Sequence, residues 1–345
     1  MALSNKGLVR GPLKAEIRVR IPVALRKGED PVVFFFFFVT LQSLMRKRLI
    51  IGLLLALGAL ASCGITRDRT DPFYYAGLPD DGSGYVPDGK VEEAWYPCSV
   101  KGPTERRMIV YLPPGYEQGD QHYPVVYTLH GARGHETAWI HRGKIFQVTD
   151  SVWREGGAGP FILVLPNVNQ YRDDKDFENS RYKDALESLF EIDGTVEKGF
   201  LNDVVGYVDA HYRTIPDKAH RAICGLSVGA LQSMYISADH PDAFGYVGLF
   251  SPFWKVIPMP PGCNNDFYFG IKRKWKKQFA PDPPKGYYVC TSDQDYFYLH
   301  VQNLRRYFNR HGYPYTYIQT KGTHDWYNWV YYYRYLLEHA FREED

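Results

Sequence analysis

Residues 222–230 read Ala222-Ile223-Cys224-Gly225-Leu226-Ser227-Val228-Gly229-Ala230. A short apolar run, a Gly-x-Ser-x-Gly turn and a helix-forming segment from Leu231 to Ala238 describe a strand driven sharply into a helix, with a serine at the bend. Such a bend requires glycine at 225 and 229, because a side chain at either position collides with the neighbouring strand or helix. Ser227 is then expected to stand exposed above the sheet as a candidate nucleophile. Gly-x-Ser-x-Gly alone is a loose pattern, so its weight comes from the strand, the helix and the acid and histidine that follow it in the chain.

Apolar runs recur on both sides of this stretch: Val125 to Leu129, Phe161 to Leu165, Tyr246 to Phe250, Tyr287 to Cys290 and Tyr315 to Gln319. Between them, Phe146 to Arg154, Phe200 to His211, Val228 to Ala238 and Leu299 to Arg310 read as helices. Leu201, Val204, Val205 and Val208 fall on one face of the second; Val301, Leu304 and Phe308 do so in the last, with Gly312 suited to its stop. Alternation of this kind implies a mostly parallel sheet covered on both faces, an α/β architecture. Trp95 to Val100 and Arg106 to Leu112, separated by Lys101-Gly102-Pro103, open it as an antiparallel pair.

The chain has 345 residues, 45% hydrophobic and 16% aromatic, enough to bury one large core. Its net charge of +2 hides an asymmetry: residues 1–63 hold 10 Lys/Arg against 3 Asp/Glu, and residues 64–345 hold 31 against 36. The folded part is therefore slightly acidic, which disfavours a nucleic-acid partner.

Met45-Arg46-Lys47-Arg48 followed by the apolar run Leu49 to Ala61 has the form of a signal peptide, too short to span a bilayer comfortably. It ends in Leu60-Ala61-Ser62-Cys63, which resembles the lipobox of bacterial lipoproteins. Lipidation at Cys63 is the favoured reading over a plain secretory signal or a membrane anchor. Residues 1–44 are then a misassigned extension with translation starting at Met45, 64–86 a flexible tether, and 87–345 the catalytic domain. In an export compartment disulfides can form. Cys224 and Cys290 lie in apolar runs and read as core residues; whether Cys98 and Cys263 pair stays open.

Three further stretches carry chemistry. Leu129-His130-Gly131-Ala132-Arg133-Gly134 follows a strand, so the N–H of Ala132 joins that of Val228 as a candidate oxyanion donor. His130 reads as a hydrogen-bonding residue that shapes this loop. Thr291-Ser292-Asp293-Gln294-Asp295 ends another strand and offers two carboxylates, Asp293 and Asp295. Lys321-Gly322-Thr323-His324-Asp325-Trp326 follows the last strand and offers His324 as general base. Serine, acid and histidine in that chain order, each just past a strand, is the α/β-hydrolase order.

From about Trp95 onward the chain resembles the esterase D-type α/β-hydrolases, and most closely carbohydrate esterase family 1, which holds feruloyl and acetylxylan esterases. The matching stretches are Tyr111-Leu112-Pro113-Pro114-Gly115-Tyr116, Tyr123-Pro124-Val125-Val126-Tyr127, His130-Gly131 with Trp139, Leu165-Pro166-Asn167, Tyr212-Arg213-Thr214, Gly225-Leu226-Ser227 and His324-Asp325-Trp326 with Trp329. The family's acid loop, Cys-Gly-x-x-Asp-x-x-Tyr, laid on this chain gives Ser292 for the Gly, Asp295 for the acid and Tyr298 for the Tyr, and this resemblance selects Asp295 over Asp293. Its common Ser-Met-Gly-Gly is Ser227-Val228-Gly229-Ala230 here, which keeps the backbone donor.

The resemblance implies a three-layer α/β-hydrolase sandwich and a serine esterase with Ser227, Asp295 and His324 as its triad. It needs no metal or other cofactor. Trp139, Asn169 and Trp326 are assigned to substrate contact, and Tyr171, Tyr296 and Tyr327 offer further rings for stacking on a sugar or phenolic acid. Export by a lipid anchor favours an ester-bearing extracellular polysaccharide, such as a feruloyl or acetyl ester, as substrate. The rivals are siderophore-lactone hydrolysis or another acyl transfer on the same scaffold, and a glycan-binding lipoprotein without turnover.

Overall fold

The computed structural model describes residues 83–100, 104–132, 134–168, 194–254 and 266–342. The lipobox Cys63, Asn169, Tyr171 and Cys263 lie outside the described residues, as do residues 1–82 as a whole.

Eight strands form one sheet: β1 (Lys90–Pro97), β2 (Glu105–Leu112), β3 (Val125–Leu129), β4 (Ile162–Pro166), β5 (Arg221–Leu226), β6 (Tyr246–Phe250), β7 (Gly286–Ser292) and β8 (Thr316–Thr320). Their spatial order is β1-β2-β4-β3-β5-β6-β7-β8. β2 runs antiparallel to both β1 and β4, and every other pairing is parallel. The mostly parallel sheet with an antiparallel N-terminal pair is therefore as the sequence implies. The central strands β3 to β7 are buried along their whole length, because helices cover both faces and water reaches neither.

Alternate side chains sort into two apolar layers. Val125, Tyr127 and Leu129 face one layer, together with α5 (Val228–Asp239), α6 (Ile271–Gln278) and α7 (Tyr298–His311). Val126 faces the other, with α1 (Ala138–His141), α2 (Ile145–Arg154) and α8 (Trp326–His339). The remaining helical stretch is one continuous rod built of α3 (Thr195–Phe200), a π-helical turn (Leu201–Val205) and α4 (Gly206–His211). Val204, Val205 and Val208 pack inward from it. From the π turn Asp203 accepts a hydrogen bond from the backbone N–H of Ser99, at 2.9 Å.

Two boundaries differ from expectation. β1 begins at Lys90 and ends at Pro97, whereas the sequence places it at 95–100; its first half, Lys90-Val91-Glu92-Glu93, is too charged to read as a strand, yet it pairs with Ile109 to Leu112 as a sheet edge. Tyr85, within the 64–86 stretch, donates its hydroxyl to the buried Asp150 at 2.7 Å. Cys224 and Cys290 are buried in the core, and burial pushes the Cys224 thiol up to about 12.

Candidate active site

The chain runs from β3 out to β4 and back past β3 to β5, so the carboxyl ends of β3 and β5 flank the point where strand order reverses. Open α/β sheets place ligands there. Ser227 leaves β5 at that point and caps α5 with φ 54° and ψ −112°. A serine with positive φ stores about 1–3 kcal/mol of strain, tolerated only where the surroundings over-determine it. The glycines explain how. A Cβ on Gly225 would sit 2.6 Å from the carbonyl of Gly229, and one on Gly229 would sit 2.7 Å from the carbonyl oxygen of Leu129. The strand, the helix and the β3 loop thus meet backbone to backbone. Against the expectation of an exposed serine, Ser227 is only 4% accessible.

Asp295 and His324 are in direct contact. His324 Nδ1 lies 3.0 and 3.1 Å from the two carboxylate oxygens of Asp295, with both side chains buried. Burial alone would raise the Asp295 pKa. The hydrogen bond and charge of His324, the Ser251 hydroxyl and the N–H of Phe297 at 2.7 Å outweigh it and hold the carboxyl below its ordinary range. The His324 ring also lies edge-on to Trp329, with centroids 4.8 Å apart, and against Phe297 at 5.2 Å.

Asp293, the competing carboxylate, does something different. It accepts from the N–H of Gly322 at 3.0 Å and from Lys321 at 2.8 Å, both on the histidine loop. Ser292 Oγ donates to the carbonyl of Thr323 at 2.7 Å, so the acid and histidine loops are bound to one another. The sheet ladder itself continues past the strand ends: Ser227 N–H donates to Phe250 (2.8 Å), Ser251 N–H to Cys290 (2.9 Å), Asp293 N–H to Thr320 (3.0 Å) and Gln294 N–H to Gly322 (2.9 Å).

The β3 loop is fixed by its histidine. His130 is buried, donates from Nδ1 to the Gly131 carbonyl at 2.9 Å and accepts the Val168 N–H at Nε2, 3.1 Å away. Burial lowers its pKa to about 4, so it is neutral. The turn closed by Gly134 N–H on the Gly131 carbonyl leaves Ala132 at its second position. Val228 heads α5, where first-turn N–H groups have no partner within the helix. Beneath this loop Glu136 accepts from Arg107 Nε, and Arg107 Nη1 donates to Glu93 at 3.0 Å. Burial pushes the Glu136 pKa up against the Arg107 charge. Arg107→Met is expected to cost about 3–5 kcal/mol in urea unfolding, because it strands a carboxylate in the core. Arg107→Met/Glu136→Gln should recover most of it; a single-variant loss under about 1 kcal/mol would show that the pair contributes little.

The aromatic candidates separate. Trp139 is buried, gives its indole N–H to the Leu129 carbonyl at 3.0 Å and packs edge-on beneath Trp326 with centroids 5.1 Å apart, so it presents no face for stacking. Trp326 and Tyr296 are partly covered, and Tyr327 is exposed. Ser251 is a residue that the sequence does not reveal. Its hydroxyl accepts from Trp329 Nε1 at 3.0 Å and serves Asp295, but Ser251-Pro252 after a strand reads as an ordinary loop.

The Esterase family model matches residues 99–332. An endo-1,4-beta-xylanase/feruloyl esterase of Xylanibacter ruminicola is 32% identical over 192 residues, which are 54% of this chain and 24% of that protein. The chain thus spans about a quarter of that relative's length. Among solved structures, a ferulic acid esterase of carbohydrate esterase family 1 from Anaeromyces mucronatus superposes with a TM-score of 0.60 at 22% identity, covering 78% of this chain and 96% of its own. An S-formylglutathione hydrolase from Staphylococcus aureus gives 0.56 at 16% identity, covering 74% and 98%. The enterobactin esterase of Shigella flexneri gives 0.50 at 15% identity, covering 73% and 60%. These structures share the α/β-hydrolase fold with the chain. With the family model matched across well over half its length, the protein belongs to the Esterase family.

Proposed function

We propose that the protein is a serine esterase that cleaves feruloyl or acetyl esters on plant polysaccharide or its fragments through an acyl-enzyme. The observation that carries the serine mechanism is the conjunction of a strained serine at the β5 elbow with a buried Asp295–His324 hydrogen bond on the neighbouring loops. Ser227 Oγ attacks the ester carbonyl carbon while His324 Nε2 takes its proton. Asp295 holds the Nδ1–H tautomer and stabilises the imidazolium. The oxyanion rests on the N–H groups of Val228 and Ala132. The imidazolium returns its proton to the leaving alcohol, and water then repeats the sequence on the acyl-serine.

The polysaccharide substrate is supported by the Xylanibacter relative, whose name joins a xylanase to a feruloyl esterase. With Trp139 in the core, the ring that best suits a stacking role is Trp326, and Asn169 keeps its place in the proposal. Cys63 is the proposed lipid attachment, which anchors the enzyme in the cell envelope. Methyl ferulate, acetylated xylan and p-nitrophenyl acetate, assayed with the wild type and a serine variant, test the assignment. Labelling by a fluorophosphonate probe separates it from a glycan binder without turnover, which would not react.

The pH profile follows from the pair. Asp295 is held ionised well into the acid range, so the acid limb of kcat/KM belongs to His324 gaining a proton. Log kcat/KM for p-nitrophenyl acetate should fall toward low pH with a slope of about one. A flat profile would contradict a histidine base.

A further inference from the structure

A concave site lies away from the serine, toward the far end of α5. Beside the C-terminal end of α5 is a cavity of about 490 Å³, lined by Lys198, Asp239, Phe267, Phe269, Arg273 and Lys274 together with Gly270. That volume falls within the roughly 300–1,000 Å³ of small-ligand clefts. α5 has 12 residues, so its two ends are about 18 Å apart. No residue of this lining belongs to the loops that carry Ser227, Asp295 and His324.

We propose that this cavity is an accessory binding site for a carboxylated sugar of an acidic polysaccharide. The inference rests on the polysaccharide reading of the substrate. Three cations face one carboxylate, and that carboxylate is already engaged: Lys274 Nζ lies 2.8 Å from Asp239. Lys274 also donates to the Phe267 carbonyl at 2.8 Å and sits 4.3 Å from the centre of its ring, which fixes the ammonium in place. Arg273 is exposed and forms no salt bridge among the described residues. Its planar guanidinium suits a carboxylate bidentately.

Phe269 is 69% accessible, one of five large apolar side chains exposed among the described residues, and it lines this cation-rich cavity. A flat apolar ring next to an arginine offers both halves of what an acidic pyranose presents: a C–H face and a carboxylate. The helix extends the field. Ile271–Gln278 carries five cations and no acid; Ile271, Trp275 and Gln278 are buried, leaving Lys272, Lys276 and Lys277 exposed beside Arg273. Such a field concentrates a polyanion before it docks.

A nucleic acid fits less well. Residues 64–345 carry 31 Lys/Arg against 36 Asp/Glu, so a densely charged phosphate backbone meets net repulsion beyond this one helix. Spaced carboxylates on a glycan need only the local cluster. Bound there, the polymer is held about 18 Å from Ser227 along α5, which favours repeated encounters of its esters with the serine.

Affinity electrophoresis of the full chain carrying Ser227→Ala, in native gels containing polygalacturonate, neutral arabinoxylan or duplex DNA, tests the site without hydrolysis. Polygalacturonate should retard the protein while neutral arabinoxylan does not. Adding Phe269→Ala or Arg273→Gln should weaken that retardation about tenfold. Both substitutions in the active enzyme should leave methyl ferulate turnover unchanged, which shows that the fold is intact. Absent retardation by polygalacturonate, equal retardation of the variants, or tighter binding of DNA than of polygalacturonate would each overturn the proposal. Failure to cleave feruloylated or acetylated polymer, by contrast, would remove the substrate reading and leave this binding result standing.

Discussion

Ser227→Ala is expected to lower kcat for p-nitrophenyl acetate by about three orders of magnitude or more, with the protein still folded. On the proposed mechanism the loss is large because the serine oxygen carries the acyl group; what remains is the acceleration expected from the two backbone donors and from binding. Ser227 is 4% accessible and its N–H bonds to Phe250, a backbone contact that alanine keeps. Thermal unfolding should therefore be little changed, which separates lost chemistry from lost structure. Turnover within tenfold of the wild type would remove Ser227 from the mechanism and transfer the search to another nucleophile.

Asp295→Asn should cost about 10⁴-fold in kcat, because a carboxamide can satisfy His324 Nδ1 in the wrong tautomer and offers no charge to the imidazolium. Asp293→Asn is the internal control. Asp293 touches Gly322 and Lys321 and not His324, so its replacement loosens the histidine loop without changing the tautomer. The expected cost there is about tenfold or less, with the slope of the acid limb preserved. Equal losses in the two variants would mean that the acid loop acts by holding shape alone.

Much of this arrangement is legible in the residues themselves. Strands buried on both faces must be continuous apolar runs, and Val125–Leu129 and Tyr246–Phe250 begin and end where the sequence places them. The elbow is legible because only glycine survives backbone contact on both sides of it. The choice between Asp293 and Asp295 is not legible from spacing alone, since either carboxylate ends the same strand; resemblance to a family pattern was needed to separate them. The sequence does not separate a ligand contact from a core ring at Trp139, because an aromatic ring after a loop looks the same whether it lines a pocket or a floor. Only its bond to Leu129 and the ring of Trp326 above it distinguish the two. α6 is not legible because five cations mask the spacing of Ile271, Trp275 and Gln278, and the net charge of the folded part averages its field away. The start of β1 is illegible for a related reason: an edge strand can carry Lys90, Glu92 and Glu93 where a central strand could not.

The ladder that continues beyond the strand ends makes the loops that carry Ser227, Asp295 and His324 a kind of vernier scale. Ser227 is indexed against Phe250, Ser251 against Cys290, and Asp293 and Gln294 against Thr320 and Gly322. Their spacing is therefore counted in whole residues of strand register, each step about 3.3 Å. A step of that size exceeds the tolerance of any hydrogen bond. On the proposed mechanism, a chain with β5 to β8 mispaired by a single notch is therefore not a slower enzyme but an inert one.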